Sequence, residues 1–296
     1  MRLLISGASG LIGSALVRAL PADWEVARLV RRSPGAGEVR WDPDGGTIDV
    51  GAMGRIDAAV HLAGESIAGR WSEEKKQRIR NSRVQGTSLL ARTLAGMSPA
   101  PGVLLSASAV GIYGDRGDEV LTEDSPPGTG FLPEVGRAWE QAAQPAAEAG
   151  IRVVCLRMGV VLAREGGALA RMLPLFRLGL GARLGSGRQW MSWIALADAT
   201  AAMLHLLQAD SVSGPVNLTA PNPVTNREFT LTLARVLRRP ALLSVPALAL
   251  RVVFGEMADE ALLASTRVVP RRLLDSGFSF QHAELEAALR AVLQSP

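Results

Sequence analysis

Gly7, Gly10 and Gly13 stand three residues apart in "LLISGASGLIGSALVRAL". They follow an apolar run directly and open a segment whose Leu11, Ile12, Ala15, Leu16, Ala19 and Leu20 recur at helical spacing. Glycines so placed let the chain turn sharply, bring backbone against a pyrophosphate and aim a helix amino end at its negative charge. The spacing is G-x-x-G-x-x-G, a variant of the G-x-G-x-x-G dinucleotide fingerprint, and its position between strand and helix points to a dinucleotide site. The end of the second strand selects the dinucleotide, because an acid there binds the ribose 2′-hydroxyl and a base accommodates a 2′-phosphate. Here "VARLV" runs into Arg31 and Arg32, two guanidinium forks suited to a phosphate, with no acid beside them. NADP(H) is therefore expected over NAD(H).

The elements that must hold these residues alternate. Short β-rich runs fall at Leu3–Ser6, Glu25–Val30, Glu38–Trp41, Ala58–Leu62, Val103–Ala107 and Arg152–Leu156, separated by helical stretches near Leu11–Leu20, Ser72–Leu94 and Glu134–Glu148. Such alternation predicts an α/β fold, a Rossmann-type doubly wound parallel sheet with a smaller, mainly helical C-terminal lobe. Residues 1–165 are read as the dinucleotide-binding domain, with 189–212 returning to it; 166–188 and 213–296 are read as the second, substrate-binding lobe.

Composition narrows the function classes. Of 32 basic residues only Lys75 and Lys76 are lysines, the arginines are scattered and aromatic residues make up 4%, so a nucleic-acid groove of basic and stacking side chains is not expected. No apolar run of 18 residues lacks a charge or a Gly/Pro break, and no membrane partner is expected; the chain reads as soluble and cytoplasmic, monomeric or homodimeric. The single cysteine, Cys155, excludes an internal disulfide and reads as an inert strand thiol. His61, His205 and His282 are too dispersed for a metal site, and His61 reads as a core residue.

"GASGLIG", "AAVHLAG", "LLSASAVGIYG" and "LRMGVVL" resemble the extended short-chain dehydrogenase/reductase superfamily. "HLAGESIAGRWSEEKKQRIRNSRVQGT", "GRQWMSWI" and "RVVPRRLLDSGFSF" resemble its atypical branch, the sugar nucleotide epimerase-like or cell-division-inhibitor SulA-like family. The resemblance spans the chain and implies cofactor contacts at Gly7, Ser9, Gly10, Leu11, Ile12 and Gly13, at Arg31 and Arg32, at Leu62, Ala63 and Gly64, and at Ser106. It also implies a tyrosine acid/base with a lysine four residues on, a serine holding the substrate oxygen and a relay asparagine. Ser108 falls at the serine's place, but Tyr113 is the only tyrosine and Gly117 stands four beyond it. "GFLPEVGRAWE" offers Leu132, Glu134 and Arg137 where the pair belongs, and Arg83 replaces the asparagine.

The substitutes for that relay are Ser108 on the reacting oxygen, Tyr113, Glu65 or Glu134 on its proton, and Arg83 steadying an anion. A buried glutamate in this role would titrate near neutrality. Trp190 and Trp193 are expected to border the substrate cleft, with Asp198 pinning their segment. Two function classes follow: an NADP(H)-dependent oxidoreductase or epimerase acting on a carbonyl, hydroxyl or sugar-nucleotide substrate, or a non-catalytic NADP(H)-binding protein that acts through a protein partner, as in cell division.

Overall fold

The computed structural model describes residues 1–294. Its centre is an eight-stranded sheet built from β1 (Arg2–Ser6), β2 (Glu25–Val30), β3 (Glu38–Asp42), β4 (Thr47–Ile48), β5 (Ala58–His61), β6 (Val103–Ala109), β7 (Arg152–Met158) and β8 (Gly214–Leu218), in the spatial order β8-β7-β6-β5-β1-β2-β3-β4. Every pairing is parallel except β3 with β4. The order reverses on either side of β1, which is the topological switch point where doubly wound sheets bind ligands.

Alternation along the strands explains why both faces are covered. Leu3 and Ile5 of β1 join Val60, Leu105, Val154 and Leu156 in one core with Leu16 of α1 (Leu11–Ala19). Leu4 joins Ala59 and Leu104 in a second core with Leu90, Ala91 and Leu94 of α2 (Glu73–Ala95). Strands buried on both faces need apolar side chains at every position, which is what the runs in the sequence display. Ser72 caps α2, its hydroxyl accepting from the Lys75 amide at 3.2 Å.

The predicted helix over Glu134–Glu148 is two helices, α3 (Phe131–Gln141) and a short turn over Gln144–Glu148. α3 starts three residues earlier than its periodicity suggests because its cap is remote. Gly130 offers no side chain, and the Glu260 carboxylate accepts from the amides of Phe131 (3.1 Å) and Leu132 (3.0 Å) instead.

The second lobe has its own core, with Leu169, Leu173 and Phe176 of α4 (Gly167–Arg177) against Phe229 and Leu233 of α5 (Asn226–Leu237) and Leu285 and Leu289 of α6 (Leu285–Gln294). A capping box at Thr225 and Glu228 starts α5. Residues 214–218, assigned by sequence to this lobe, are instead the edge strand of the main sheet, because β8 pairs in register with β7 from Gly214↔Val154 to Leu218↔Met158.

Glu260→Ala removes the side-chain cap at the start of α3 and is expected to destabilise the protein by about 1–2 kcal/mol, read as a lower urea midpoint at unchanged slope.

Candidate functional site

Gly7 and Gly13 of the first turn are held by contacts that leave no room for a side chain. Gly7 lies in the left-handed region (φ +69°), and a Cβ there would come 2.9 Å from backbone atoms of Leu62 and Ala63. One on Gly13 would come 2.2 Å from the Gly7 carbonyl oxygen, which also accepts from the Gly10 amide at 3.0 Å. α1 therefore begins hard against the end of β1. Its amino end has Gly10 at the cap, no side-chain hydrogen bond and no acid in its first turn, so its amides are available to an anion. Ser9 and Gly10 are exposed, and Leu11 and Ile12 half-buried, beside Leu62, Ala63 and exposed Gly64.

Ser6 braces this turn from below. Its buried hydroxyl accepts from the amides of Leu62 (3.2 Å) and Ala63 (3.3 Å), which leaves its own proton for His61 Nδ1 at 2.6 Å. His61 is thus the neutral tautomer carrying hydrogen on Nε2, and its ring meets Trp41 edge-on with centroids 5.9 Å apart. Burial lowers its pKa to about 4. Ser106, expected at the cofactor, sits beside His61 in the sheet register and is buried, so it does not reach the groove surface.

At the end of β2 the two arginines part company. Arg32 gives both prongs of its fork to Glu38, at 2.7 and 2.5 Å, while Arg31 remains exposed and acts at longer range on Glu65. Glu65 accepts a 2.5 Å ion pair from Lys75, and that hydrogen bond holds its carboxyl below the ordinary range; Lys75, Arg78 and Arg31 all add to the effect. The expected near-neutral titration of a buried glutamate is therefore corrected at Glu65, whose carboxylate is fixed in the charged state by cations around it. Arg83 donates to the backbone oxygens of Glu65 (2.9 Å) and Ile79 (3.1 Å) and stacks over Trp139 at 4.8 Å, so it braces the Gly64–Glu65 loop. Burial lowers its pKa to about 10, leaving it protonated at neutral pH.

The hydroxyls expected to hold substrate are engaged elsewhere. Ser108 is 2% exposed and donates to Glu140 at 2.7 Å; Arg157 closes on the same carboxylate with two bonds of 2.8 and 2.9 Å. Arg157 also donates to the Tyr113 hydroxyl at 2.9 Å, and Tyr113, fully buried, donates to Asn217 Oδ1 at 2.7 Å. Burial raises the tyrosine's pKa, only partly offset by Arg157. Desolvation works against the Arg157 charge, but the bonds from Glu140 overcome it and leave that pKa raised. Ser108 and Tyr113 are thus members of one buried network, because a charged guanidinium inside a sheet must be surrounded by acceptors. Glu134 lies exposed in the first turn of α3.

The sequence reading missed Glu140, Glu123, Lys75 and Glu260. Arg157 was the available signal for Glu140, since an arginine inside "RVVCLRMGVV" requires a buried partner; Glu123 meets Arg157 only through its backbone oxygen, at 3.2 Å, and its carboxylate accepts from the Asn217 amide at 3.0 Å. Asp198, expected to pin the tryptophan segment, accepts from the amides of Gln281 (2.8 Å) and His282 (2.9 Å) and so pins the chain before α6. Trp193 is fully buried, while half-buried Trp190 donates to Asp118 at 2.8 Å. Burial pushes the Cys155 thiol up to about 12, an unreactive state.

A cavity of about 470 Å³ opens between the turn after β6 and the second lobe. Gly114, Asp115 and Thr129 form one wall, and Gln189, Arg251, Asp259 and Glu260 face them. Arg251 pairs with Asp259 at 2.9 Å, so carboxylates outnumber cations on the lining.

Residues 3–218 match the NAD dependent epimerase/dehydratase family, over the segment that carries the glycine turn and the sheet. The chain belongs to that family. Residues 245–292 match a further domain of unknown function, DUF1731. An epimerase family protein of Mycobacterium bovis is 49% identical over 288 residues, covering 96% of this chain and 95% of that protein. The crystal structure of human epimerase family protein SDR39U1 with NADPH superimposes with a TM-score of 0.92 at 36% identity, covering all of both chains. A nucleoside-diphosphate sugar epimerase from Corynebacterium glutamicum, 38% identical, gives a TM-score of 0.81 over 99% of this chain and 58% of its own. No helix among the described residues is long and apolar enough to cross a membrane.

Two outcomes follow for this family member. A histidine whose folded pKa lies below its unfolded value keeps its stabilising effect above about pH 6.5 and loses it as pH falls toward 4. Between those limits the parent should lose about 3 kcal/mol more than His61→Gln, measured as the difference of their urea midpoints across pH. Glu140→Gln leaves the Arg157 guanidinium buried without its counter-charge and should cost about 3–5 kcal/mol, whereas Glu140→Leu with Arg157→Met should recover most of that loss.

Proposed function

We propose that the protein binds NADPH across the amino end of α1 and exchanges a hydride between it and a carbonyl or hydroxyl compound. The observation that carries this reading is the cradle: glycines with no space for a Cβ beside an uncapped helix end. Support comes from human SDR39U1, similar over its whole length and solved with NADPH. The amides from Gly10 to Gly13 would hold the pyrophosphate, and the Leu62–Gly64 turn, braced by Ser6 and Arg83, would border the nucleotide. Arg31 is the main anchor for a 2′-phosphate, because Arg32 must first exchange Glu38 for it.

NADPH supplies the hydride when bound; the chain's own residues must place the substrate and move its proton. We assign the substrate to the cavity beside Gly114 and Thr129. Its excess of carboxylate favours a neutral or cationic, hydroxyl-bearing compound over a nucleotide diphosphate sugar. Ser108, expected on the reacting oxygen, is bound into the Arg157 network; of the three proton-carrier candidates, Tyr113 is bound into the same network and Glu65 is locked by Lys75. Glu134 is left as the group free to exchange a proton. The same commitment of both hydroxyls favours a second reading, an NADPH-binding protein without turnover that works through a partner.

Calorimetric titration tests the cofactor assignment. Arg31→Ala should weaken NADPH by about 1.5–3 kcal/mol and leave NADH unchanged, with a smaller effect from Arg32→Ala. Equal losses for both nucleotides, or NADH preferred by the parent, would refute it. For chemistry, NADPH and NADP are supplied with a panel of carbonyl compounds, alcohols and nucleotide sugars. Turnover that falls about 100-fold or more in Glu134→Gln supports the enzyme; tight NADPH binding with no turnover across the panel favours the second reading.

A further inference from the structure

The second lobe displays an apolar surface that no part of the described chain covers. Leu175, Leu178 and Leu180 are exposed at the end of α4 and just beyond it, and Leu242, Leu243, Leu248, Val252 and Val253 are exposed between residues 242 and 253. Leu242 is 91% exposed and Leu248 71%, so neither serves the core. These side chains share one region. Residues Ala182–Leu184 pair in parallel with Leu243–Val245, Arg239 Nε donates to the Arg177 oxygen at 2.9 Å, and Gly179 lies against Pro240. The helix Ala247–Phe254 follows directly and carries Leu248, Val252 and Val253.

The charge of the same region is one-sided. Residues 166–188 hold Arg171, Arg177, Arg183 and Arg188, and residues 229–255 hold Arg235, Arg238, Arg239 and Arg251, with no Asp or Glu in either stretch. All eight arginines are exposed. Elsewhere the chain has 24 basic and 28 acidic residues, so its net positive charge resides here. Among the described residues, of these eight only Arg235 and Arg251 reach carboxylates, Glu286 and Asp259, both from outside the two stretches.

We propose that this face docks peripherally on a bilayer containing anionic phospholipid, its leucines and valines entering the headgroup boundary and its arginines meeting phosphate. Aliphatic side chains set among eight exposed arginines, six of which meet no carboxylate among the described residues, match such a surface. A second copy of this chain does not match it, since apposing the face to itself would set the six unpaired guanidiniums against one another, with Asp259 and Glu286 already engaged by Arg251 and Arg235. A protein partner is less suited, because the exposed large apolar side chains include no aromatic residue, the type on which protein interfaces mainly depend. Ala247 and Arg251 belong to both this region and the cavity wall, so docking sets the cavity beside the lipid. The proposal departs from the sequence expectation of no membrane partner, which concerned spanning segments, and it does not rest on NADPH binding.

The test is co-sedimentation of the full chain with phosphatidylcholine vesicles, with and without phosphatidylglycerol. Partition into the mixed vesicles should exceed that into phosphatidylcholine alone by at least about ten-fold and fall steeply with salt. Arg171→Gln with Arg183→Gln should weaken it by about 25-fold, and Leu242→Ser with Leu248→Ser by at least about ten-fold, each pair with the parent's thermal melt. No partition into mixed vesicles overturns the proposal and leaves an acidic protein as the occupant. Retention of full binding by the serine pair reduces the contact to charge alone and also overturns it. So does concentration-dependent dimerisation in sedimentation velocity that the serine pair abolishes.

Discussion

A guanidinium enclosed in a sheet must be met by acceptors on every side, and the side of the cleft beyond β6 is organised by that requirement at Arg157. Glu140 reaches it from α3, Tyr113 from the turn after β6, and the Glu123 backbone oxygen from the next loop at 3.2 Å. Ser108 and Asn217 attach β6 and β8 to the same network through Glu140 and Tyr113. Desolvating an isolated charge costs several kcal/mol, so each partner is needed and the elements that carry them are drawn into one arrangement. α3, the β6 turn and two strand ends are positioned together as a result.

On the other side of the cleft the constraint is steric. The Gly7 carbonyl lies where a Gly13 side chain would be, and the Leu62–Ala63 backbone lies where a Gly7 side chain would be. Ser6 then ties the end of β1 to that backbone through two amides. The cleft thus has a backbone wall shaped by close approach and a side-chain wall shaped by charge. A dinucleotide asks for the first kind, because its pyrophosphate is recognised by amides. The second kind stabilises the protein by engaging hydroxyls that might otherwise face a substrate.

This difference explains what the sequence disclosed. The sheet strands and the glycine turn rest on residues close in sequence, where period and turn chemistry are local. The roles of Ser108 and Tyr113 depend on partners 32 and 104 residues away, Glu140 and Asn217. No spacing rule links such positions. The start of α3 depends on Glu260, 129 residues from Phe131. Residues 214–218 were assigned by sequence to the second lobe, and their membership in the sheet needed the register with β7. Family resemblance supplied roles by position, and position alone does not reveal which way a hydroxyl is bonded.

Glu260 joins these walls to the second lobe. Its carboxylate caps α3, the helix that delivers Glu140 to Arg157, and it also lines the cavity beside Arg251. Nearby, Lys76 on α2 reaches Glu256 at 2.9 Å and Arg70 donates to the Val252 oxygen at 2.6 Å. The segment 252–260 therefore bridges the helices flanking the sheet, the cavity and the arginine-rich outer face. A shift of that segment would be felt at three places through bonds already made: the α3 cap, the cavity lining and the exposed leucines and valines. This continuity ties the second lobe to the helices beside the cleft through contacts made outside the sheet.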